Sequence, residues 1–469
     1  MFRKTKIICT LGPSVNSYEK IRSLVSEGMN VARLNCSHGD WETRSKWVKW
    51  IREAGSELNE HVGILLDLSG PKFRLGNLPP HGLEVEVNDV IKIGTGKSQL
   101  PILEEQVLKK IRKGTVILIG DGHITFLAKD SDTLLCTSGG KIWTRQGITL
   151  LGESFDVPAI TEKDKEDLGK GLKLGVEYVA QSYVKSASDV RELGRLIEER
   201  DPTIRIIAKI ELKSAVNEIQ SIIKEADGIM VARGDLGLHM PIEDVPLVQK
   251  KIIQLCQLAG KPVITATEMM ESMVHNPRPT RAEATDVANA ILDGTDAVML
   301  SAETAVGKNP ELVVRNMAKI AAKTESSSTF AKMRTMRERS RITEATEAVA
   351  YAACEIAENL NAKSILTFST SGFTARMVAK YRPRIPILCG TYRERTAKQV
   401  SLLWGVKPIL TSEFSDTEEM IEKGFRAALE HKLLKVGDLV VITAGIPVGK
   451  PGTTNLVTLM NVHEPKKDK

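Results

Sequence analysis

The chain has 469 residues, which is more than one hydrophobic core usually supports, so two or three domains are expected. With 42% hydrophobic and 26% charged residues, its composition is that of a folded globular protein rather than a disordered one. The net charge of +6 is mild and suits small anionic substrates. No stripe of basic residues interleaved with aromatic residues occurs, which argues against nucleic acid as a partner.

The sequence also predicts a cytoplasmic protein that does not bind membranes. The six cysteines form no Cys-x-x-Cys pair and mostly lie within apolar runs, as is typical of reduced, buried thiols. The N-terminus leads into a strand-like segment without the apolar region of a signal peptide. No run of about 18 apolar residues is present to span a bilayer.

Short apolar runs alternate with longer amphipathic stretches over most of the chain, which predicts parallel strands joined by crossover helices. Eight strands are predicted up to Val306, the number that closes a (β/α)8 TIM barrel. They span residues 6–11, 30–35, 62–68, 178–182, 205–211, 228–235, 262–268 and 297–303.

Polar residues end seven of these eight strands, where an apolar core would not select them. The C-terminal strand ends form the active face of such a barrel. One polar strand end is commonly a turn residue, but seven at one rim predict an active site. They are Arg33 and Asn35, Asp67, Ser182, Lys209 and Glu211, Arg233 and Asp235, Thr267 and Glu268, and Ser301 and Glu303.

Between the third and fourth strands the alternation is interrupted. Residues 71–155 are rich in Gly, with short β-like runs at 83–87, 116–119 and 134–137 and one helical pattern at 104–112. We expect a small β-barrel domain inserted at the active rim, where it can act as a lid. An insertion without a function is the less favoured alternative.

After the charged stretch 332–341 the α/β alternation resumes. Helices are predicted at 344–360, 375–381, 396–403 and 418–432, and strands at 364–369, 385–389, 439–444 and 456–462. This pattern predicts a C-terminal three-layer α/β domain. The predicted domains are therefore a barrel of residues 1–70 and 156–340, a lid of residues 71–155 and a regulatory domain of residues 341–469.

Lys209 and Glu211 are two apart on one predicted strand, so their side chains point to the same side. They could form a plain ion pair, but Asp235 ends the next strand and adds a second carboxylate. Magnesium prefers one or two carboxylates together with substrate oxygens and water. The absence of His ligands and Cys pairs nearby in the sequence disfavours zinc.

The same rim carries the positive charge that phosphoryl transfer requires. Arg33, Arg74 and Lys209 would supply that charge together with a metal ion. The glycines around Asp235 allow backbone N–H groups to approach an anion. His38 alone is more often an ordinary surface or capping residue, and we interpret it as a neighbour of a nucleotide rather than as a base.

The sequence resembles the pyruvate kinase family over nearly its whole length, and seven motifs between residues 5 and 305 carry the resemblance in the order that the family has them. They are Thr-Lys-Ile-Ile-Cys-Thr-Leu-Gly-Pro (5–13), Met-Asn-Val-Ala-Arg-Leu-Asn-Cys-Ser-His-Gly (29–39), Leu-Asp-Leu-Ser-Gly-Pro-Lys (66–72), Ile-Ala-Lys-Ile-Glu (207–211), Gly-Ile-Met-Val-Ala-Arg-Gly-Asp-Leu-Gly (228–237), Asn-Pro-Arg-Pro-Thr-Arg-Ala-Glu (276–283) and Asp-Ala-Val-Met-Leu-Ser-Ala-Glu-Thr-Ala (296–305). Any one could arise by chance, but seven in order are specific.

The resemblance implies phosphoryl transfer from phosphoenolpyruvate to ADP, with Mg²⁺ or Mn²⁺ as cofactor, by a homo-oligomer, a homotetramer in the family. It also implies roles for individual residues. These are Lys209 (phosphoryl group and enolate oxygen), Arg33 (phosphoryl group), Glu211 and Asp235 (metal), Gly234 and Asp235 with Thr267 (substrate carboxylate), Thr267 through water (protonation of enolpyruvate), Ser301 and Glu303 (the same proton network), and Asn35, Ser37, His38 and Arg74 (nucleotide).

A departure from the family pattern predicts independence of potassium. Lys72 stands where potassium-dependent members carry Glu, and Leu68 replaces a hydroxyl residue. Asp67 matches an aspartate of the monovalent-cation site. We expect Lys72, partnered by Asp67, to supply the charge that potassium otherwise brings.

A hydroxyl-rich loop in the C-terminal domain predicts a site for a phosphorylated allosteric effector, because backbone N–H groups at a helix start can face an anion. The alternative is an ordinary capped helix start. The residues of the predicted site are Ser369, Thr370, Ser371, Gly372, Thr374 and the facing Lys450.

Two other functions compete with this one. A metal-dependent aldolase or a phosphoenolpyruvate mutase would share the metal and enolate chemistry, but would not need an inserted lid for a nucleotide. A non-catalytic metabolite sensor would be expected to lose Lys209 or a metal carboxylate, and Lys209, Glu211 and Asp235 are all present.

Overall fold

The computed structural model describes residues 3–96, 98–120, 122–153, 155, 157–336, 342, 344–447 and 454–464. A first barrel segment precedes the lid. It contains β1 (Lys6–Thr10), α1 (Tyr18–Glu27), β2 (Val31–Asn35), α2 (Trp41–Leu58) and β3 (Gly63–Asp67). Helix α1 begins where the Ser17 side chain accepts a hydrogen bond from the Lys20 amide, and it ends at Gly28 in the left-handed conformation that favours glycine.

The lid follows β3 and is built mainly from short antiparallel strands. Its elements are β4 (Leu83–Val85), β5 (Val90–Gly94), β6 (Leu100–Pro101), α3 (Glu105–Leu108), β7 (Val116–Ile119), β8 (Ile124–Ala128), β9 (Thr133–Ser138), β10 (Gly140–Ile142) and β11 (Ile148–Leu150). A six-stranded sheet in the order β11-β7-β8-β9-β5-β6 and the pair β10-β4 surround one apolar core centred on Phe126. The lid therefore has a hydrophobic core of its own.

The chain then returns to the barrel. The second barrel segment contains α4 (Glu162–Lys173), β12 (Tyr178–Gln181), α5 (Ala187–Glu198), β13 (Arg205–Ile210), α6 (Lys213–Asn217), α7 (Ile219–Glu225), β14 (Gly228–Ala232), α8 (Arg233–Gly237), α9 (Val245–Leu258), β15 (Val263–Ala266), α10 (Arg281–Asp293), β16 (Ala297–Leu300), α11 (Ala302–Ala305), α12 (Pro310–Glu325) and α13 (Ser328–Met336). Capping boxes at Thr161 and Thr280 begin α4 and α10.

Eight parallel strands close into a barrel in the order β1-β2-β3-β12-β13-β14-β15-β16, which confirms the predicted fold class. Their side chains are almost all buried, as expected for a parallel sheet covered by helices. Side chains such as Ile8, Leu65, Ile207 and Met230 fill the interior. The barrel is therefore a packed core, and its chemistry is confined to the rim.

Two predicted strands end three residues earlier than expected and turn into short helices. The strand predicted at 228–235 stops at Ala232, and α8 begins at Arg233; the strand predicted at 297–303 stops at Leu300, ahead of α11. In the first case the Gly234 amide bonds to a side chain of the neighbouring strand end instead of continuing the ladder. Both turns place the polar residues that come after the strand over the mouth of the barrel.

The C-terminal domain has a five-stranded sheet with helices on both faces, as predicted. Its elements are α14 (Ala345–Asn359), β17 (Ser364–Phe368), α15 (Phe373–Lys380), β18 (Ile387–Thr391), α16 (Glu394–Val400), β19 (Val406–Leu410), α17 (Thr417–Glu430), β20 (Leu439–Ala444) and β21 (Leu456–Asn461). The sheet order is β19-β18-β17-β20-β21. The sequence did not predict β19, which contains Pro408; the strand is tolerated because it lies at the sheet edge.

This domain packs against the N-terminal ends of the barrel strands, away from the active rim. Arg382 forms a buried bidentate ion pair with Asp296, at 2.7 and 2.8 Å, just before β16. Lys6, at the start of β1, donates a hydrogen bond to the Val406 carbonyl at 2.6 Å. Among the described residues no helix has the length and apolarity needed to cross a membrane.

Candidate active site

Lys209 lies at the centre of the polar rim and is almost completely buried. Its Nζ atom is 3.1 Å from Asp67 Oδ1, 2.9 Å from Glu211 Oε1 and 2.7 Å from Ser182 Oγ. Burial alone would lower the pKa of Lys209, but the carboxylates of Asp67 and Glu211 raise it above its ordinary value. The ammonium therefore stays charged at the bottom of the cleft.

Arg33 brings a second cation to the carboxylate of Asp67. Its Nε atom is 2.6 Å from Asp67 Oδ2, and its Nη1 atom donates to Thr10 Oγ1 at 3.0 Å. Burial would raise the pKa of Asp67, yet Arg33 and Lys209 lower it below its usual value. Asp67, at the end of β3, is thus a buried anion that fixes two cations, Arg33 from β2 and Lys209 from β13.

Glu211 and Asp235 form a carboxylate pair beside these cations. Burial raises the pKa of Glu211, Lys209 opposes that rise, and the nearby charge of Asp235 adds to it. No cluster of three or more His, Cys, Asp and Glu side chains that could hold a metal is found among the described residues. Two acidic side chains placed together fit magnesium, which takes its remaining ligands from water and substrate.

The backbone at Tyr183 positions one of these carboxylates, a contact that the sequence did not reveal. The Tyr183 amide donates to Glu211 Oε2 at 2.6 Å. Tyr183 has φ = +55°, a left-handed conformation that is rare for an aromatic residue and costs about 1–3 kcal/mol. Strain at this position indicates that the surrounding packing holds the amide in place for Glu211.

Thr267 and Gly234 meet at the ends of adjacent strands. The Gly234 amide donates to Thr267 Oγ1 at 2.8 Å, and Thr267 Oγ1 donates to the Ala266 carbonyl at 2.6 Å. Thr267 has φ = +68° and Glu268 has φ = +53°. Arg233 holds the strained turn by donating to the Thr267 carbonyl at 2.7 Å.

Ser301 and Glu303 lie next to this turn. The carboxylate of Glu303 is fully buried and accepts hydrogen bonds from the Met270 amide at 3.1 Å and the Ser301 amide at 2.6 Å. Burial raises the pKa of Glu303 in spite of these donors. The Ser301 hydroxyl is buried without a hydrogen-bond partner among the described residues, which leaves it available to a water molecule or a ligand.

Three of the four predicted nucleotide residues, Asn35, Ser37 and His38, lie at the end of β2 and in the turn after it, and Arg74 lies at the start of the lid. The Asn35 side chain accepts a hydrogen bond from the Ser37 amide at 3.0 Å, and buried Arg44 donates to the His38 carbonyl. His38 is exposed, but partial desolvation lowers its pKa, and the nearby charges of Arg74 and other cations lower it further. The predicted set of Asn35, Ser37, His38 and Arg74 therefore lies at one side of the cleft.

Lys72 has a different partner from the one predicted. Its Nζ atom is 3.6 Å from Asp235 Oδ1, whereas Asp67 is bonded to Arg33 and Lys209. The physical reason is that two nearer cations already neutralise Asp67. Lys72 instead lies in the segment that joins β3 to the lid, and it reaches the partly exposed carboxylate of Asp235.

The predicted effector loop lies in the C-terminal domain between β17 and α15. Gly372 has φ = +78°, which glycine adopts readily. Thr396 Oγ1 donates to the Thr370 carbonyl at 2.8 Å, and Thr374 Oγ1 is 3.0 Å from Thr454 Oγ1. Ser369 and Ser371 share this loop, whereas Lys450 lies outside the described residues.

Comparisons with known proteins match both parts of the chain. A family model described as pyruvate kinase, barrel domain, matches residues 2–314, and one described as pyruvate kinase, alpha/beta domain, matches residues 347–460. A pyruvate kinase of Geobacillus stearothermophilus is 42% identical over 475 residues, covering 99% of this chain and 80% of the relative. Those of Sporosarcina psychrophila and Staphylococcus aureus (strain MRSA252) are 42% and 40% identical, each covering 97% of this chain and 80% of the relative.

Proposed function

Because the chain belongs to the pyruvate kinase family, we propose that the residues around Lys209 carry the transfer of a phosphoryl group from phosphoenolpyruvate to ADP. The observation that supports these roles is the buried Lys209 ammonium held between Asp67 and Glu211 at the barrel mouth. Phosphoryl transfer needs positioning and electrostatic stabilisation rather than a covalent intermediate on the protein. The rim supplies fixed positive and negative charges.

Arg33 and Lys209 would bind the phosphoryl group as it moves. Both are fixed by Asp67 before substrate arrives, so little reorganisation is needed during the reaction. Lys209 would also stabilise the enolate oxygen that is left when the P–O bond breaks. Magnesium or manganese, held by Glu211 and Asp235, would neutralise the phosphate and carboxylate oxygens of the substrate.

Gly234 and Thr267 would receive the substrate carboxylate. This role is supported by their closeness: the Gly234 amide donates to Thr267 Oγ1 at 2.8 Å, and the Thr267 hydroxyl donates to the Ala266 carbonyl. A substrate carboxylate would replace these two acceptors. A bound carboxylate would accept from both of them. Thr267, through a water molecule held near Ser301 and Glu303, would then protonate enolpyruvate.

The alternative function, an aldolase or mutase acting on phosphoenolpyruvate or pyruvate, is not favoured by the family matches. An assay with ADP and phosphoenolpyruvate, coupled to detection of pyruvate, tests the proposed function. Formation of pyruvate and ATP in equal amounts, dependent on magnesium, is expected. Pyruvate formed without ATP would contradict phosphoryl transfer to the nucleotide.

We further propose that the enzyme works without potassium. The Lys72 ammonium already stands 3.6 Å from Asp235, and the side chain of Leu68 offers no oxygen ligand. A potassium ion placed beside Lys72 would meet a repulsion of roughly 4 kcal/mol at about 4 Å and an effective dielectric constant of about 20. Lys72 thus supplies charge next to the metal carboxylates.

Activity measured in Tris or tetramethylammonium salts is expected to change less than about threefold when potassium is added at constant ionic strength. Lys72→Glu is expected to create a potassium-responsive enzyme. The exposed Lys213→Glu variant carries the same charge change and should remain independent of potassium. Strong activation of the unmodified protein by potassium would contradict the proposal.

We propose that the loop of residues 369–374 binds a phosphorylated effector. The hydroxyls of Ser369, Thr370, Ser371 and Thr374 lie around the start of α15, where backbone N–H groups can face a phosphate. Sugar phosphates, 3-phosphoglycerate and AMP should be screened for a shift in the phosphoenolpyruvate saturation curve. We expect one of them to shift the curve, and Ser371→Asp to abolish that shift by repulsion.

Ser188→Asp, an exposed change in the barrel, is the matched control and should retain the response. No response to any of these compounds, together with identical curves for Ser371→Asp, would show that the loop is an ordinary helix start.

Three further properties are proposed on the resemblance and on composition. The domains are residues 1–70 with 156–340, 71–155 and 341–469. The assembly is a homotetramer, supported by two apolar side chains near the start of α9, Ile242 and Leu247, which are 77% and 68% exposed in the single chain. A cytoplasmic location is supported by six cysteines that are all buried and form no disulfide with one another.

A further inference from the structure

A cleft opens between the lid and the barrel, beside the two segments that join them. We call it the hinge cleft; its empty volume, including the open mouth, is about 910 Å³. Phe73 from the first joining segment and Phe155 from the second line its lid side, with ring centroids 4.5 Å apart. Arg33, Lys209 and Glu211 are not among the described residues that line it. The cleft therefore adjoins the site of phosphoryl transfer without including these three residues: Lys72 and Tyr183 line it, and they contact Asp235 and Glu211.

Aromatic rings line both sides of the hinge cleft. On the barrel side, the rings of Tyr183 and His239 contact each other edge to face, with centroids 6.5 Å apart. Leu150 and Leu212 extend the apolar surface on the lid and barrel sides. A planar ring inserted here would make edge and face contacts with aromatic neighbours from two domains.

The charge at the mouth of the hinge cleft is positive. Lys72, Lys185 and Lys213 line it, and Lys72 is paired with Asp235. Lys185 donates only to a backbone carbonyl, at 2.9 Å, and exposed Lys213 has no acidic partner among the described residues. The acidic residue among the described lining residues, Glu153, is paired with Lys110 at 3.4 Å and Arg112 at 2.9 Å. Two ammonium groups thus lack a carboxylate, which favours an anionic ligand.

We propose that the hinge cleft binds a planar aromatic carboxylate, with its ring between Phe155 and Tyr183 and its carboxylate on Lys185 and Lys213. Such a ligand would connect the lid to the barrel next to the hinge. The amide of Ile148 donates to the Phe73 carbonyl at 3.1 Å within this hinge. Occupancy would therefore restrain the lid at the point where it must bend.

Binding of 2-naphthoate to the full chain, measured by titration calorimetry with magnesium and saturating phosphoenolpyruvate present, tests the proposal. One binding site is expected, and it should stay occupied while phosphoenolpyruvate is bound. The uncharged 2-naphthamide has the same ring and should bind about tenfold more weakly because it loses both ammonium contacts. Displacement of naphthoate by phosphoenolpyruvate, equal affinity for the amide, or no binding at millimolar naphthoate would overturn the proposal.

Variants locate the binding site. Lys213→Gln is expected to weaken naphthoate binding about fivefold, whereas Lys224→Gln, an exposed change elsewhere on the barrel, should leave it unchanged. Ser214 is exposed at the rim of the cleft, so Ser214→Phe should fill the mouth and abolish binding without disturbing the core. Unaltered binding in a folded Ser214→Phe protein, or equal losses in the Lys213 and Lys224 variants, would place the ligand elsewhere.

Discussion

Lys209→Met is expected to lower kcat by several orders of magnitude while the KM values for phosphoenolpyruvate and ADP change little. The Lys209 ammonium is aimed at oxygens that gain negative charge as the P–O bond breaks, so its contribution is made mainly in the transition state. Steady-state kinetics with a coupled assay measures both constants. A variant that keeps more than about a tenth of the original kcat would remove Lys209 from its catalytic role.

Loss of activity through unfolding must be separated from this effect. Lys209 is buried between two carboxylates, so Met would leave Asp67 and Glu211 without one of their cations. The thermal midpoint and circular dichroism of the variant should therefore be measured with its kinetics. Lys224→Met, which removes an exposed ammonium from the same barrel, is the matched control and should retain full kcat. An unchanged KM for substrate would show that the binding site still forms.

The barrel could be predicted from the sequence because periodicity and polarity agree. Apolar runs alternate with amphipathic helices, and the polar residues follow directly where each strand ends. Strand ends were less predictable: the strands predicted at 228–235 and 297–303 each turn into a short helix, α8 and α11. The extensions are Arg-Gly-Asp and Ser-Ala-Glu, and Gly, Asp, Ala and Glu are all depleted in strands. The composition therefore carried a signal for the end of each strand that the predicted strands ran past.

The central residues of the site were predicted better than their partners. Spacing by two placed Lys209 and Glu211 on one side of a strand, and the structure joins them at 2.9 Å. The sequence could not show that Asp67 binds both Lys209 and Arg33, since the three residues come from three different strands. It also missed Tyr183, whose amide binds Glu211. A bulky residue in a left-handed conformation leaves no signal in the sequence.

The second large effect is expected when either metal carboxylate is neutralised. Glu211→Gln and Asp235→Asn should each raise the magnesium concentration that gives half-maximal activity by about tenfold or more, because one carboxylate alone supplies too little charge. Manganese binding, measured directly by titration calorimetry without nucleotide, should weaken in parallel. Glu198→Gln, an exposed change on α5, is the control that should leave both values unchanged.

The two variants should also differ from each other in a way that their contacts predict. Glu211 is the buried member and neutralises Lys209, so Glu211→Gln alters the phosphoryl site as well as the metal site and should lower kcat even at saturating metal. Asp235 is partly exposed and its ion-pair partner is Lys72, so the kcat of Asp235→Asn should recover more fully when magnesium is raised. If neither variant changes the metal requirement, the metal ion binds outside this carboxylate pair.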